Sequence, residues 1–261
     1  GRIGVSDADG TLSGQVAIVT GASSGLGRIM ALGLADAGCA VVAAARREDE
    51  LETTADRIAE RGGRAAVVPV DVRERGHGDA LVARAREIFG RLDGVVLNAG
   101  VATGAPAEEE DLDAFADVLN VNVTAQMELA SAAARAMIDA GHGGWMIAMS
   151  SILGRRAATG MGLAAYTASK GAIEQLVREL GRQWAGQGIR VNGLAPGYFP
   201  TPMNAPMVEQ PGRLEGMLAR IPLGRAGTEE DITGAAVFLA SDAAGYITGH
   251  TLAVDGGMSA W

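Results

Sequence analysis

Short apolar runs alternate with helix-length segments along almost the whole chain, and this alternation is the feature that most limits the fold. Seven runs are mostly apolar on both faces and are bounded by Gly, Asp or Pro, which is typical of buried parallel strands. These predicted strands are 16–20, 40–45, 65–70, 94–98, 145–150, 190–194 and 251–254. Helices are predicted between them, over roughly 25–37, 47–61, 74–89, 108–139, 164–186 and 228–240.

Repeated strand–helix–strand crossovers predict an α/β fold: one doubly wound, Rossmann-like parallel sheet of about seven strands with helices on both faces. A length of 261 residues fits a single domain over 1–261, with a polar tail at 1–12. Such sheets bind ligands beyond the carboxyl ends of their strands. We therefore look for functional residues where the predicted strands end.

Composition excludes several classes of function. The net charge of −9 disfavours a nucleic-acid partner, because an acidic surface repels phosphates. No apolar run approaches the roughly 18 residues of a membrane span. The one cysteine, Cys39, cannot form an internal disulfide, which fits a cytoplasmic protein. His77, His142 and His250 stand beside glycines without metal-ligand spacing, so we expect surface histidines and no metal site.

The first predicted strand runs directly into the glycine-rich stretch TGASSGLG at 20–27, and a predicted helix follows it. Glycines allow the backbone to turn tightly and to approach a pyrophosphate, and the helix N-terminus adds free N–H groups and a positive dipole. The stretch predicts a dinucleotide-binding loop, with cofactor contacts at Gly21, Ser23, Ser24, Gly25, Leu26 and Gly27.

The spacing G-x-x-x-G-x-G resembles the cofactor loop of the short-chain dehydrogenase/reductase family, TGxxxGxG. The resemblance extends from about residue 12 to 257 and implies a nicotinamide dinucleotide cofactor. It also implies that further strand ends and the PGxxxT-like element at 196–201 contact the cofactor. The residues so implied are Asp71 and Val72 near the adenine ring, Asn98, Ala99 and Gly100 in a variant of the family's NNAG motif, and Pro196, Gly197, Phe199 and Thr201.

The second predicted strand ends without the acidic residue that usually binds the ribose of NAD. Ala45 stands where the family has Asp, and Arg46 and Arg47 follow. A guanidinium in place of a carboxylate favours a 2′-phosphate. We therefore predict that NADP(H) is the preferred cofactor, with NAD(H) as the alternative.

Lys170 is the only lysine among 22 basic residues, which indicates chemistry that arginine cannot perform. Tyr166 lies four residues before it, so both side chains share one face of the predicted helix. A nearby ammonium, together with the positive nicotinamide ring of an oxidised cofactor, favours the phenolate, and Tyr166 could then act as a general acid or base. A cofactor contact is expected from both residues as well.

A serine at the carboxyl end of the fifth strand can donate a hydrogen bond to a substrate carbonyl. The family resemblance places that role on Ser151, with Ser150 as the second candidate. It also identifies Asn122 as the asparagine that interrupts a helix and holds the water leading to Lys170, with Asn120 as the competitor.

These residues predict an oxidoreductase that transfers a hydride between NADP(H) and a ketone or secondary alcohol, with Tyr166 as general acid/base. The alternative is a polyol or keto-sugar-acid dehydrogenase that resembles gluconate 5-dehydrogenases. A cofactor-binding regulator would usually lack the Tyr/Lys pair, and enoyl reductases space these two residues more widely.

The segment 197–220 contains four of the eight prolines together with apolar side chains, and we expect it to be a substrate lid. Arg155 is a candidate to hold a substrate carboxylate. The predicted substrate contacts are Ser151, Leu153, Arg155, Met161, Tyr198, Met203 and Met207. The resemblance further implies a homotetramer, or else a homodimer, formed through the helices predicted at 108–139 and 164–186.

Overall fold

A computed structural model describes residues 10–158, 162–205 and 212–260 and contains all seven predicted strands. The strands are β1 (Val16–Thr20), β2 (Ala40–Ala45), β3 (Ala65–Pro69), β4 (Gly94–Leu97), β5 (Gly144–Met149), β6 (Ile189–Pro196) and β7 (Thr251–Val254). The helices are α1 (Gly25–Asp36), α2 (Glu48–Glu60), α3 (His77–Phe89), α4 (Leu112–Leu119), α5 (Ala125–Ala140), α6 (Ala164–Trp184), α7 (Arg213–Leu218) and α8 (Glu229–Ala240).

All strands pair in parallel, in the order β3-β2-β1-β4-β5-β6-β7, which confirms the predicted doubly wound sheet. The chain moves outward from β1 to β3 and then crosses back to place β4 on the other side of β1. This reversal creates a crevice at the carboxyl ends of β1 and β4, where α/β sheets bind ligands.

Alternate side chains of each strand feed two separate hydrophobic layers, because successive residues of a strand point to opposite faces. Ala17 and Val19 of β1 pack with α1, α2 and α8 on one face. Val16 and Ile18 pack with α3, α5 and α6 on the other face. Burial on both faces explains why the strands are continuously apolar in the sequence.

The helix predicted over 108–139 is interrupted in the structure. A π-helical segment, Asn120–Thr124, separates α4 from α5, and the N–H of Ala125 donates to the carbonyl of Asn120 five residues earlier. A π-bulge of this kind is frequent at functional sites. Helical periodicity continues across the bulge and did not reveal it, whereas the family resemblance implied a helix interruption at Asn122.

Three other boundaries differ from the prediction. Helix α3 begins at His77 rather than at 74, because Gly76 adopts a left-handed conformation with φ of 88°. The predicted polar tail is wrong at its end, since Leu12 is fully buried and its N–H donates to the carbonyl of Ala37 at 2.8 Å. Helix α7 lies inside the segment predicted as a lid. No helix in the described ranges is long and apolar enough to cross a membrane.

Candidate active site

A cavity of about 450 Å³ lies at the carboxyl ends of the strands. Every residue predicted to contact the cofactor lines it, from the glycine-rich loop after β1 to Thr201 after β6. The lining also includes residues that sequence reasoning did not single out. These are Val70, Arg73, Val101, Val121, Met149, Pro202 and Asn204.

The glycine-rich loop is shaped by two glycines that no other residue could replace without strain or overlap. Gly21 has φ of 68°, a left-handed conformation that favours glycine. A Cβ on Gly27 would overlap the carbonyl of Gly21 and the side-chain amide of Asn98. Because Gly27 has no side chain, α1 packs closely against the strand ends, and the start of the helix lines the cavity.

Side chains outside the loop hold its carbonyl groups. The hydroxyl of Thr54, on α2, donates to the carbonyl of Ala22 at 2.9 Å. The guanidinium of Arg28 donates to the carbonyl of Ser23 and also pairs with Glu50. Sequence reasoning missed Thr54 and Arg28, because each acts from a helix without belonging to a recognisable motif.

Thr20 joins the two strand ends that form the crevice. Its hydroxyl accepts from the backbone N–H of Asn98 at 3.0 Å and from that of Ala99 at 3.1 Å. The side-chain amide of Asn98 donates from Nδ2 to the carbonyl of Thr20 at 2.9 Å. This exchange fixes the chain after β4 against the start of the glycine-rich loop.

The two arginines after β2 occupy different positions. Arg47 donates from Nη2 to the hydroxyls of Ser23 at 3.2 Å and Ser24 at 3.0 Å, so it lies against the glycine-rich loop. Arg46 is exposed, with its guanidinium 4.0 Å from the carboxylate of Asp71. Together they form a cationic rim at this end of the cavity.

Tyr166 and Lys170 meet at the opposite end of the cavity, as their spacing on α6 predicted. The ammonium of Lys170 lies 5.5 Å from the centre of the Tyr166 ring and donates to the carbonyl of Met149 at 2.7 Å. Burial lowers the pKa of Lys170 to about 8. Burial also raises the pKa of Tyr166, while a hydrogen bond with Ser151 acts in the opposite direction.

Burial of Tyr166 opposes the phenolate that Lys170 is expected to favour. The ammonium contacts a backbone carbonyl and the face of the ring, and the burial of the phenol dominates its ionisation. A buried phenol with a raised pKa remains protonated at neutral pH. The geometry favours Tyr166 as a proton donor.

The two candidate serines differ in the groups that their hydroxyls contact. Ser151 lines the cavity near Tyr166, where its hydroxyl acts to lower the pKa of the phenol, and its Oγ accepts from the N–H of Leu153 at 3.1 Å. Ser150 points toward α6 instead, where its hydroxyl contacts Glu174 Oε1 at 3.1 Å and the carbonyl of Lys170 at 3.2 Å. The arrangement brings Ser151, and not Ser150, to the tyrosine hydroxyl.

Asn122 lies in the π-helical segment and is fully buried. Its Oδ1 accepts from the N–H of Val101 at 2.8 Å, and its Nδ2 donates to the carbonyl of Val101 and to Ser169 Oγ. The side chain therefore joins the segment after β4 to α6.

The segment after β6 passes over the glycine-rich loop. A Cβ on Gly25 would lie 3.6 Å from Thr201, and Asn204 Oδ1 accepts from the Thr201 N–H at 2.9 Å. Asn204 also donates to the carbonyl of Phe199, so one amide fixes this turn. Its position three residues after Thr201 was the available signal, and sequence reasoning did not use it.

The predicted substrate contacts are only partly brought together. Ser151 and Met203 line the cavity, whereas Leu153 and Tyr198 do not, and Tyr198 is buried. Met161 and Met207 lie outside the described residues, as does part of the predicted lid.

Arg155 also lies away from the cavity, contrary to the expectation that it faces the substrate. Its Nε donates to the buried carboxylate of Glu174 at 3.0 Å, and its Nη2 donates to the carbonyl of Thr251 at 2.8 Å. A buried carboxylate requires a partner, and Arg155 supplies it. The sequence could not show this pairing, because Glu174 lies on α6.

The histidines and acidic residues of the described ranges form no cluster that could hold a metal ion. His142 and His250 are exposed as expected. His77 is not a surface residue: it is 3% exposed, and its ring nitrogens contact the carbonyls of Glu74 and Ala125.

Residues 21–259 match the family model described as "Enoyl-(Acyl carrier protein) reductase". A 2-dehydro-3-deoxy-D-gluconate 5-dehydrogenase from Dickeya dadantii is 38% identical over 94% of this chain and 96% of that protein. A 3beta-hydroxysteroid dehydrogenase from Eggerthella lenta is 38% identical over 96% of each chain.

Among solved structures, a gluconate 5-dehydrogenase from Burkholderia cenocepacia in complex with NADP and tartrate is 36% identical to this chain. The TM-score is 0.90, and the alignment covers 96% of this chain and 97% of the other. The similarity in sequence and in fold extends over nearly the whole length of both chains. The chain belongs to the short-chain dehydrogenase/reductase family of oxidoreductases.

Proposed function

We propose that this protein transfers a hydride between NADP(H) and a ketone or secondary alcohol, with Tyr166 as the general acid/base. The observation that carries the proposal is that Tyr166, Ser151 and Lys170 line the same cavity as the glycine-rich loop, with the Lys170 ammonium beside the Tyr166 ring. The dehydrogenases similar to this chain support the reaction class.

The residues present fit a phosphorylated dinucleotide. The close packing at Gly27 leaves the start of α1 open, which suits a pyrophosphate. Arg47 with Ser23 and Ser24 could bind a 2′-phosphate, and Arg46 lies beside them. The Burkholderia relative binds NADP, which supports this choice, while NAD(H) stays the alternative.

When bound, the reduced nicotinamide supplies the hydride. Ser151 donates a hydrogen bond to the substrate carbonyl oxygen, and Tyr166 transfers its phenolic proton to that oxygen as charge develops. Lys170 would bind the cofactor ribose and return a proton toward Tyr166. Asn122 keeps α6 and the chain after β4 in register and would hold the water that connects Lys170 to solvent.

The substrate is a carbonyl compound of one of two classes, a keto-sugar acid or a cyclic ketone. The Dickeya relative favours a keto-sugar acid. The steroid dehydrogenase relative favours a bulky cyclic ketone, and Phe199 and Met203 give the cavity apolar surface. Because Arg155 is paired with Glu174, a sugar acid would need another partner for its carboxylate.

The test is oxidation of NADPH and of NADH, measured with 5-ketogluconate and with a panel of cyclic ketones. We expect kcat/KM to be at least tenfold higher with NADPH, and Arg155→Ala to leave the KM for any active substrate within about threefold. A tenfold preference for NADH would reverse the cofactor assignment. A wild-type protein that binds the dinucleotide but reduces no carbonyl compound would favour the regulator instead.

We also propose that residues 1–261 form one cytoplasmic domain, that 197–220 acts as the substrate lid, and that the chain assembles as a homotetramer through α5 and α6. The single sheet supports one domain, and the position of Met203 in the cavity lining supports the lid. The exposure of Ile138 on α5 supports the homotetramer. Light scattering on the purified protein tests the assembly, and a monomer would contradict it.

A further inference from the structure

Arg73 is a cavity residue that the proposed reaction does not use. It follows β3 and lines the cavity together with Val70 and Val72. Its guanidinium forms a two-point contact with the carboxylate of Asp117 on α4, from Nε at 2.9 Å and from Nη2 at 2.8 Å. A second carboxylate, that of Asp71, lies 3.7 Å from Nη1.

These contacts fix the plane of the guanidinium. Within the described residues, its hydrogen bonds and ion pairs go to carboxylates and leave the two faces of the plane available for stacking. A two-point carboxylate contact lies in the plane of the group, so the long side chain adopts one orientation. The Arg73 hydrogen bond also lowers the pKa of Asp117, so the pair stays ionised over the neutral range. Guanidinium planes stack on aromatic rings and on nucleobases.

The location of Arg73 decides what could stack there. The glycine-rich loop and the start of α1 lie in the middle of the cavity, and Tyr166 lies toward β5 and β6. A dinucleotide with its pyrophosphate at the loop and its reactive ring at Tyr166 must extend its other nucleoside toward β2 and β3. Arg73 lies at that end, beside Val70 and Val72.

We propose that the Arg73 guanidinium, held flat by Asp117, is the stacking platform for the purine base of the dinucleotide. The inference rests on the proposed function, because it requires that a dinucleotide binds in this cavity. It assigns to Arg73 a direct ligand contact, and to Asp117 the role of a positioning residue that acts through Arg73.

The experiment compares Arg73→Ala, Arg73→Lys and Arg75→Ala with the wild type. Arg75 is the matched control, because it lies in the same loop, its side chain is 84% exposed and it does not line the cavity. Binding of NADPH and of adenosine 2′,5′-bisphosphate is measured by calorimetry. Turnover is measured with NADPH and with reduced nicotinamide mononucleotide, which lacks the purine.

We expect both Arg73 variants to raise the Kd of NADPH and of adenosine 2′,5′-bisphosphate about tenfold, equivalent to about 1.4 kcal/mol. Lysine keeps the charge but lacks the plane, so it should not rescue binding. Turnover with reduced nicotinamide mononucleotide should stay within twofold of wild type, as should every value for Arg75→Ala. Asp117→Asn, which weakens the two-point contact, should raise the Kd by a smaller factor.

Wild-type affinity in Arg73→Lys would overturn the inference, because charge alone would then explain the site. An equal loss of turnover with the mononucleotide would also overturn it, since the effect would not depend on the purine. A wild-type protein that binds neither NADPH nor NADH would instead contradict the proposed function itself.

Discussion

At the scale of single residues, the site depends on which polar groups find partners inside the protein. Ser150 and Ser151 are neighbours in sequence, yet one contacts Glu174 and the other contacts Tyr166. The Tyr166–Lys170 pair could be predicted, because one helical turn places i and i+4 together. The position of Arg155 could not, because its partner Glu174 lies 19 residues away along the chain.

The serines provide a matched test of this separation. Ser151→Ala should lower kcat by a factor of about 100 or more, since it removes a donor to the developing oxyanion. Ser150→Ala should change kcat by no more than severalfold and lower the free energy of unfolding by about 1 kcal/mol, because Glu174 loses a partner. Steady-state kinetics and urea unfolding of both variants measure this, and a larger kcat loss in Ser150→Ala would reverse the assignment.

The ionisation of Tyr166 and Lys170 predicts opposite pH profiles for the two reaction directions. Burial raises the pKa of Tyr166, so the proton donor is present throughout the neutral range. Lys170 loses its charge as the pH rises through about 8 in the free enzyme. We expect kcat/KM for carbonyl reduction to be flat from pH 6 to 7.5 and to fall above about 8, the pKa of Lys170.

Alcohol oxidation requires the base form of Tyr166, so its kcat/KM should increase as the pH rises into the alkaline range. Initial rates in both directions, across buffers of constant ionic strength, measure the two profiles. Carbonyl reduction that accelerates from pH 6 to pH 9 would contradict the assignment of Tyr166 as the donor.

At the scale of secondary-structure elements, the strands were predictable within about two residues because burial on both faces makes them continuously apolar. The periodicity of the predicted 108–139 helix did not reveal its division, which only the family resemblance at Asn122 implied. The division depends on a π-helical segment whose Asn122 bonds across to Val101 and Ser169, contacts that only the tertiary fold creates. The start of α1 was predictable, because it combines a strand end with a fixed glycine spacing.

The shape of the glycine-rich loop should control the affinity for the cofactor. Gly27→Ala would force the added Cβ against the carbonyl of Gly21, so we expect the Kd of NADPH to rise more than tenfold. Gly234→Ala is the control, because it lies in α8 with open space around its Cβ position. That variant should bind normally and gain about 0.5–1 kcal/mol of stability. Equal binding by the two variants would contradict the account of the loop.

At the scale of the whole molecule, an acidic protein presents a basic end of its cavity. The net charge is −9, yet Arg46, Arg47 and Arg73 all line the cavity near β2 and β3. The doubly wound sheet, and the crevice at its carboxyl edge, followed from the alternation of strands and helices. The convergence of these arginines with Asp71 and Asp117 did not, because it depends on where the strand-end loops meet.

Local charge should dominate the salt dependence of cofactor binding, because screening limits the more distant acidic groups to a range of about 10 Å at 0.1 M salt. We expect the Kd of NADPH to rise more steeply than that of NADH between 50 and 500 mM sodium chloride, since only NADPH carries the 2′-phosphate. Fluorescence titration of both cofactors measures the two slopes. Equal slopes would argue against a phosphate at the arginine rim.

The central claim is that Tyr166 gives its proton to the substrate while the rest of the cavity binds the cofactor independently. The direct measurement is the single-turnover rate of NADPH oxidation by Tyr166→Phe, recorded with the Kd of NADPH on the same preparation. We expect a rate lower than that of wild type by a factor of 1,000 or more, with the Kd within threefold. A variant that retains more than a tenth of the wild-type rate would contradict it.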